Sequence, residues 1–295
     1  MTVNVVLMVP DGIVVAADSL ATSFQPLQGV LTIDQPIKCG TCGNAQKIPP
    51  IQMPPIPIPG RSTPLASKIF YIGNYGLTFF GPAAINGRSL FNHVMAFQKQ
   101  GLKEGMILKD IADGLARQFN AAMIKDPQFN GLAPGREVGG FQICGYDPDD
   151  VDYGHISVVK FCVGQPPHRD DRPQQYAISV TGQIDVIQKL VGPTQLNFNS
   201  LTVPDAIDYA RFLVQTTSDY QRFSNAVPTV GGPTTIALIT KWIGFRWVER
   251  QKILDDDTTT RLNIGKIAQE IKQMCHGLPE NVRRALKPET PDKGA

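Results

Sequence analysis

The chain has 295 residues, of which 42% are hydrophobic, enough for a substantial core in one large domain or two smaller ones. Its formal net charge is +2 and its lysines and arginines are dispersed, so no nucleic-acid partner is expected. No apolar run approaches the ~20 residues that span a bilayer, and neither a charged leader nor a cleavage site opens the chain. We therefore expect a cytoplasmic location and no membrane partner.

Two strands are predicted at the start of the chain, joined by the turn Pro10-Asp11-Gly12. The first covers residues 3–9, and the second covers residues 13–17. The second strand is an almost continuous apolar run, which is typical of a strand buried on both faces. It leads directly into the carboxylate of Asp18.

Thr2 stands directly behind the initiator methionine. If Met1 is removed, Thr2 carries a free α-amine beside its own hydroxyl, so that base and nucleophile occupy one residue. An α-amine has an unperturbed pKa of roughly 7.7 to 8.0, and a nearby lysine held by a carboxylate would lower it. Asp18 is a candidate for that carboxylate. The alternative is that bulky Val3 keeps Met1 in place and leaves Thr2 blocked.

Residues 24–66 are interpreted as an insertion that contains a cysteine pair and a proline-rich stretch. The prolines of residues 48–60 exclude a helix and favour an extended polyproline conformation, and a ligand for an SH3-like domain is an alternative. Cys39 and Cys42 could be half of a zinc site, a redox pair or two incidental thiols. No second pair completes a zinc site, so no metal is predicted. The odd total of five cysteines favours reduced thiols in a cytosol.

The middle of the chain is predicted to form a hairpin, two helices and a second hairpin. The first hairpin covers residues 67–81. Apolar stripes at residues 90–97 and 111–123 predict the helices. Two β-like runs near residues 137–146 and 156–163 are joined by an acidic turn. That turn is interpreted as a solvated hairpin loop, because its oxygen spacing does not match a calcium-binding EF-hand.

The last part of the chain is predicted to contain a capped helix and two more strands. Thr202-Val203-Pro204-Asp205 has the spacing of a helix N-cap. Residues 235–239 and 245–249 are the predicted strands, and residues 262–274 form a predicted terminal helix. The tail from residue 286 onward is rich in proline and lysine and is expected to be mobile.

Three blocks of this sequence resemble, in the same order, segments of proteasome β-subunits and their bacterial relatives. They are Val14-Val15-Ala16-Ala17-Asp18-Ser19-Leu20-Ala21-Thr22, the hairpin of residues 67–81, and Gly231-Gly232-Pro233-Thr234-Thr235 with the strand that follows. The resemblance is to N-terminal nucleophile (Ntn) hydrolases of the bacterial proteasome-homologue type. It implies an α+β fold, a four-layer αββα sandwich. Residues 1–250 would form one domain with the insertion at 24–66, and residues 251–295 a helical extension and tail.

The resemblance implies a catalytic role for four residues. Thr2 matches the nucleophile, Asp18 the acid, Lys68 the basic lysine, and Gly81 the glycine whose amide stabilises the oxyanion. The alternatives from base rates are that Asp18 and Lys68 form only a structural ion pair, and that Gly81 serves only close packing.

Four further residues match substrate-binding positions of the family. Ala21, Phe79 and Ala83 fall where the primary specificity pocket is lined, and Thr22 falls where the backbone aligns the substrate. The bulk of Phe79 predicts a preference for small side chains.

The sequence departs from the family pattern at two supporting positions. The family has an Asp and a Ser before the double glycine, where this chain has Val227-Pro228-Thr229-Val230. The nearest counterpart of the Gly-Ser-Gly turn beside the nucleophile is Val191-Gly192-Pro193-Thr194, in which only Thr194 offers a hydroxyl as support.

The function implied is a threonine endopeptidase subunit of a proteasome-like compartmental protease, without cofactor or metal. Expected partners are protein or peptide substrates, other copies of the chain in a homo-oligomeric ring, and an ATP-dependent unfoldase. The alternatives are a non-catalytic ring subunit or scaffold, motivated by the altered supporting positions, and a small-molecule Ntn amidase.

Overall fold

A computed structural model of the protein describes residues 2–27, 30–31, 37–38, 45–46, 51–52, 56–63, 66–150, 152–191, 196–224 and 227–250. The strands are β1 (Val3–Val9), β2 (Gly12–Ala17), β3 (Ala21–Leu27), β4 (Val30–Leu31), β5 (Ile37–Lys38), β6 (Ala45–Gln46), β7 (Ile51–Gln52), β8 (Ile56–Thr63), β9 (Ile69–Ile72), β10 (Tyr75–Phe80), β11 (Ala84–Ile85), β12 (Arg88–Ser89), β13 (Glu137–Gly145), β14 (His155–Cys162), β15 (His168–Asp171), β16 (Ile178–Gly182), β17 (Thr235–Thr240) and β18 (Gly244–Glu249). The α-helices are α1 (Leu90–Gln100), α2 (Leu108–Met123), α3 (Asp185–Val191) and α4 (Val203–Phe223).

The first five-stranded sheet has the order β16-β1-β2-β17-β18 and places Asp18 at the end of a central strand. The predicted β1–β2 hairpin is confirmed, with Asn4 opposite Ala17 and Val9 opposite Gly12. Every residue of β1 and β2 is buried, because β17 covers the other edge of β2 and both faces of the sheet are packed.

The second five-stranded sheet has the order β15-β14-β13-β10-β9 and places Gly81 at the end of its β10 strand. Both predicted hairpins are present, since β9 pairs with β10 and β13 pairs with β14. In the β10–β13 pair Phe79 lies opposite Phe141, and Phe80 lies opposite Gly140.

The two sheets pack face to face, and helices pack on their outer faces. The layer between the sheets buries apolar side chains from both, among them Met8 and Ile13 from the first and Ile69 and Ile156 from the second. α4 contacts β1 and β2 of the first sheet. α1 and α2 contact strands of the second sheet, where Phe119 lies at the centre of an aromatic core. No helix formed by the described residues is both long and apolar enough to cross a membrane.

The predicted N-cap of α4 is confirmed. Thr202 Oγ1 accepts a hydrogen bond from the Asp205 backbone N–H at 3.4 Å, and the Asp205 carboxylate accepts one from the Thr202 N–H at 3.0 Å. This reciprocal capping fixes the start of the helix. Its buried face continues to Gln221 near the C-terminal end.

The insertion contains more β structure than the sequence predicts. β8 includes Pro57 and Pro59 and pairs antiparallel with β3, and β4–β7 form two short paired ribbons. Proline is compatible with a strand whose partner does not need its missing N–H, as in a two-stranded ribbon. Cys39, Cys42 and residues 251–295 lie outside the described residues, so the predictions made for them and for the domain boundary stay predictions.

The predicted fold class is corrected by this architecture. The sequence predicts an α+β four-layer αββα sandwich, whereas the described chain is mainly antiparallel sheet, with eighteen strands and four α-helices. One of those helices, α3, has only seven residues. The prediction gave helices too large a share of the fold. Helical stripes are easily recognised from periodicity, while the short strands of the insertion leave almost no periodic signal.

Candidate functional site

The Asp18 carboxylate is the centre of a buried hydrogen-bonding cluster at the end of β2. Oδ1 accepts from Thr2 Oγ1 at 2.6 Å and from the Val3 N–H at 3.0 Å. Oδ2 accepts from the Leu20 and Gly231 N–H groups at 3.2 and 3.0 Å. Asp18 is 1% exposed, and these bonds compensate the cost of burying its charge.

Lys68 completes the cluster from the segment that precedes β9. Its Nζ lies 2.7 Å from Asp18 Oδ1 and 2.8 Å from Oδ2, a two-oxygen contact at a side chain that is 10% exposed. Burial lowers the pKa of Lys68 below the usual lysine value, against the attraction of Asp18, which raises it. A lysine in this setting gives up a proton more readily than an exposed one.

Thr2 is held by the strand beside it as well as by Asp18. The Gln183 N–H donates to the Thr2 carbonyl oxygen at 2.7 Å. Gly182 has φ +86°, and a Cβ there would lie 2.0 Å from the Thr2 carbonyl oxygen. Only glycine permits this approach. A glycine turn therefore lies beside Thr2 at residue 182. Residues 192–195 lie outside the described residues, so the supporting role predicted for Thr194 stays a prediction.

Gln221 of α4 organises the turn that reaches Asp18 from the other side. Its Oε1 accepts from the Thr229 N–H at 2.8 Å, from Thr229 Oγ1 at 3.2 Å and from the Val230 N–H at 2.9 Å. The next residue, Gly231, donates its N–H to Asp18 and accepts through its carbonyl oxygen from Ser19 and Leu20. A helix side chain thus supports the segment in which the family pattern expects an Asp and a Ser.

Gly81 follows β10 at a crossing of two backbones. It has φ +107°, and a Cβ would lie 2.7 Å from both Gly139 Cα and the Val138 carbonyl oxygen. Close packing by itself therefore requires glycine here, whatever its amide does. The crossing also fixes the direction in which the chain leaves β10.

The four predicted substrate-binding residues lie in different surroundings, and their roles stay predictions. Phe79 is 5% exposed, and its ring packs against those of Phe119 and Phe141. It lines an apolar cavity of about 10 Å³, which is close to the space that one water-sized group needs. Ala83 is exposed on the loop after Gly81, and Ala21 is half-buried at the start of β3. Thr22 is placed in β3 by its backbone.

One group of potential metal ligands lies within the described residues, in the β13–β14 connection. Ligand atoms of Asp147, Asp150 and His155 lie within 4.8 Å of one another. Asp147 Oδ1 already accepts from Tyr75 Oη and the Leu108 N–H, both at 2.7 Å, and Asp150 Oδ1 contacts His155 Nε2 at 2.9 Å. Two of these bonds connect Asp147 to Tyr75 of β10 and to the start of α2.

Sequence reasoning missed Gln221 and Gly182 as supports of the site. A signal for Gln221 exists, because it continues the buried series Ala210, Leu213 and Thr217 at helical spacing and is polar. A glycine at the end of a strand, as at residue 182, is too common a feature to point to a site. Gly182 acts on Thr2, which is distant in the sequence, whereas Gln221 reaches the Asp18 cluster through the nearby turn of Thr229 and Val230.

No family model and no curated protein matches the chain. Solved structures of Anbu proteins resemble its fold. The Anbu (Gly-1) mutant from Hyphomicrobium sp. strain MC1 has a TM-score of 0.50 at 12% identity, over 95% of this chain and 99% of that one. The Anbu complex from Pseudomonas aeruginosa, solved as a helical assembly, has a TM-score of 0.49 at 12% identity, over 94% of this chain and 97% of that one. Anbu (ancestral beta-subunit) from Yersinia bercovieri has a TM-score of 0.47 at 11% identity, over 94% of this chain and 97% of that one.

These findings correct the family expected from the sequence. The motifs resemble Ntn hydrolases of the bacterial proteasome-homologue type, whereas the structure resembles the Anbu protein from Hyphomicrobium. At 12% identity the likeness to the Hyphomicrobium protein establishes the fold alone. The expectation was wrong because its three motifs are short, and short motifs fix local strands and turns without fixing a family.

Proposed function

We propose that this protein is a threonine-type hydrolase of peptide bonds that uses Thr2 as its nucleophile after removal of Met1. The observation that carries the proposal is the sharing of one carboxylate oxygen, Asp18 Oδ1, by Thr2 Oγ1 at 2.6 Å and Lys68 Nζ at 2.7 Å. A hydroxyl, a lysine and a carboxylate in direct contact are the parts that an activated hydroxyl nucleophile needs.

In the proposed reaction Thr2 Oγ attacks the carbonyl carbon of a peptide bond, and its proton passes to the Thr2 α-amine. The charged Lys68 disfavours protonation of that amine at rest and so keeps it available as a base. The amine then gives the proton to the departing peptide nitrogen, which leaves an ester on Thr2. Water attacks the ester, its proton returns through the amine to Thr2 Oγ, and the carboxylic acid product leaves.

The backbone amide of Gly81 is the proposed donor to the oxyanion that forms in both steps. Removal of one such donor typically lowers the rate by a factor of ~100 to 1,000. Gly81 suits the role because its position is fixed by the crossing with Gly139. Preorganised donors need this kind of rigid support.

Asp18 is proposed to hold Thr2 and Lys68 in position rather than to accept a proton. Five groups of the described residues donate to its two oxygens, so each oxygen is already engaged. The Gln221-supported turn supplies one of these donors and offsets the altered residues at positions 227–230.

Self-assembly is part of the proposal, because compartmental proteases confine the site inside an oligomer. Phe223 and Trp242 are 81% and 87% exposed, and large exposed apolar side chains are typical of contact surfaces. The Pseudomonas aeruginosa Anbu complex is a helical assembly, whereas the sequence motifs imply a closed ring. Negative-stain electron microscopy would distinguish the two, and a monomer at all concentrations in light scattering would refute this part. An ATP-dependent unfoldase would be the partner that delivers folded substrates.

The test is intact-mass spectrometry of the purified protein before and after incubation with a peptide epoxyketone. The stable ring adduct needs a free α-amine and an adjacent reactive hydroxyl, so we expect loss of Met1 and one adduct per chain. Thr2→Ala should give no adduct, and Ser67→Ala, beside Lys68 but outside the cluster, should react like the parent protein. A free Thr2 that stays unmodified, or an adduct in Thr2→Ala, would refute the mechanism.

A second candidate is a non-catalytic assembly subunit, favoured by the burial of Thr2. Its side chain already donates to Asp18, and the residue is 4% exposed. Retained Met1 together with normal assembly in electron microscopy would support this candidate over the hydrolase.

A further inference from the structure

The layer between the two sheets is apolar at one end and polar at the other. Along β1, alternate side chains face this layer, beginning with Asn4 and continuing with Val6 and Met8. At the Asn4 end the layer contains five neutral polar side chains, all of them buried: Asn4, Thr78, Gln142, Ser179 and Thr181. This polar cluster, here called the polar layer, lies next to Thr2 because Asn4 is only two residues further along the same strand.

Hydrogen bonds join the polar layer across both sheets. Asn4 Nδ2 donates to the Phe79 carbonyl oxygen at 3.0 Å and to Thr181 Oγ1 at 3.3 Å. Thr181 Oγ1 donates to Gln142 Oε1 at 3.1 Å, and Gln142 Nε2 donates to the Ser179 carbonyl oxygen at 3.4 Å. The orientation of the Asn4 amide follows from its partner, because a carbonyl oxygen can only accept.

Three atoms of the polar layer lack a hydrogen-bond partner among the described residues: Asn4 Oδ1, Thr78 Oγ1 and Ser179 Oγ. Strand register keeps their side chains together. Thr78 lies opposite Gln142, Asn4 lies opposite Thr181, and Ser179 is two residues before Thr181 on the same face of β16. Each unpaired buried group would cost about 1 to 3 kcal/mol, so three of them in one layer call for hydrogen-bond partners.

We propose that the polar layer binds ordered water at these three atoms, and that the hydrated layer, through Asn4, fixes the distance between Thr2 and Gly81. Water suits the site because hydroxyl groups need an acceptor as well as a donor, and a cation offers no acceptor. Buried waters typically make 2 to 4 hydrogen bonds to groups of this kind. The group is neutral, so no counter-charge is required.

The link to Thr2 and Gly81 follows from strand positions. Asn4 lies two residues after Thr2 in the first sheet, and Phe79 lies two residues before Gly81 in the second. The Asn4–Phe79 bond therefore joins the two sheets at the point where nucleophile and oxyanion donor must face one substrate. Asn4 is a positioning residue, and this half of the inference rests on the proposed function.

The experiment compares crystal structures and kinetics of the parent protein, Asn4→Leu and Met8→Leu. Met8→Leu is the matched control, because it changes the apolar end of the same strand face at nearly constant volume. We expect water density within hydrogen-bonding distance of at least two of the three atoms in the parent protein. In Asn4→Leu we expect altered density there, a changed distance between Thr2 Oγ1 and Gly81 N, and a kcat at least ~10-fold lower with a smaller change in KM.

The outcomes separate this inference from the proposed function. A parent protein without epoxyketone adduct refutes the hydrolase, while water density and the Thr2–Gly81 distance still decide the role of the polar layer. The inference is overturned if the parent protein shows no water density at the three atoms, or if the distance between Thr2 Oγ1 and Gly81 N is unchanged in Asn4→Leu. Either result counts even if Thr2 reacts. If Asn4→Leu does not fold, Thr181→Val provides the comparison, because it removes the hydroxyl that links Asn4 to Gln142.

Discussion

The buried pair of Asp18 and Lys68 is expected to be asymmetric, so that losing the acid costs more stability than losing the base. Among the described residues, Lys68 Nζ contacts only the Asp18 carboxylate. Asp18 would keep four donors in Lys68→Met, namely Thr2 Oγ1 and the N–H groups of Val3, Leu20 and Gly231. Asp18→Asn leaves the buried ammonium of Lys68 without a carboxylate. It also places the N–H₂ of the new amide against groups that donated to Asp18, so that donor faces donor.

The magnitudes follow from these contacts. Breaking a buried pair by removing one partner costs about 3 to 5 kcal/mol, and we expect Asp18→Asn in that range. Lys68→Met should cost about 1 to 3 kcal/mol, because the remaining carboxylate stays hydrogen-bonded. Lys160→Met is the control: its pair with Glu137 is exposed, so the cost should stay below about 1 kcal/mol.

The assay is urea unfolding followed by circular dichroism at several pH values. In Asp18→Asn the attraction that raises the pKa of Lys68 is lost, so burial depresses that pKa further. Between the depressed folded pKa and the ordinary lysine value of about 10.4, the unfolded chain binds more protons than the folded one, and stability rises with pH. The deficit of Asp18→Asn should therefore shrink from pH 7 to pH 10. Equal losses in the two variants, or a larger loss in Lys68→Met, would refute the reasoning.

Three further predictions concern the supports of the site. Gln221→Met should lower stability by about 2 to 5 kcal/mol, because two buried N–H groups lose their acceptor, and Gln221→Glu should restore most of it in the same unfolding assay. Phe79→Leu should enlarge the small apolar cavity and shift cleavage toward larger side chains; an unchanged profile on a peptide library would remove Phe79 from specificity. Lys68→Met should move the acid limb of the kcat/KM profile to higher pH, because the α-amine loses the cation that lowers its pKa; an unmoved limb would exclude Lys68 from tuning the amine.

The sequence by itself determined the parts of the fold that rest on local signals. The β1–β2 hairpin follows from two apolar runs around Pro10-Asp11-Gly12, and the start of α4 follows from the capping spacing of Thr202 and Asp205. The contact of Thr2, Asp18 and Lys68 was expected from short motifs and is observed, while the roles of these residues remain proposals.

Only the tertiary structure decided what surrounds that contact. Gln221 and Gly182 reach the site from separate elements, and Asn4 meets the Phe79 carbonyl oxygen across 75 positions of sequence. Such partners depend on strand register, in which a shift of one residue would turn Asn4 from the layer between the sheets to the opposite face. Periodicity and motifs identify which residues are buried or polar, but the pairing of polar groups from distant segments exists only once the sheets have packed.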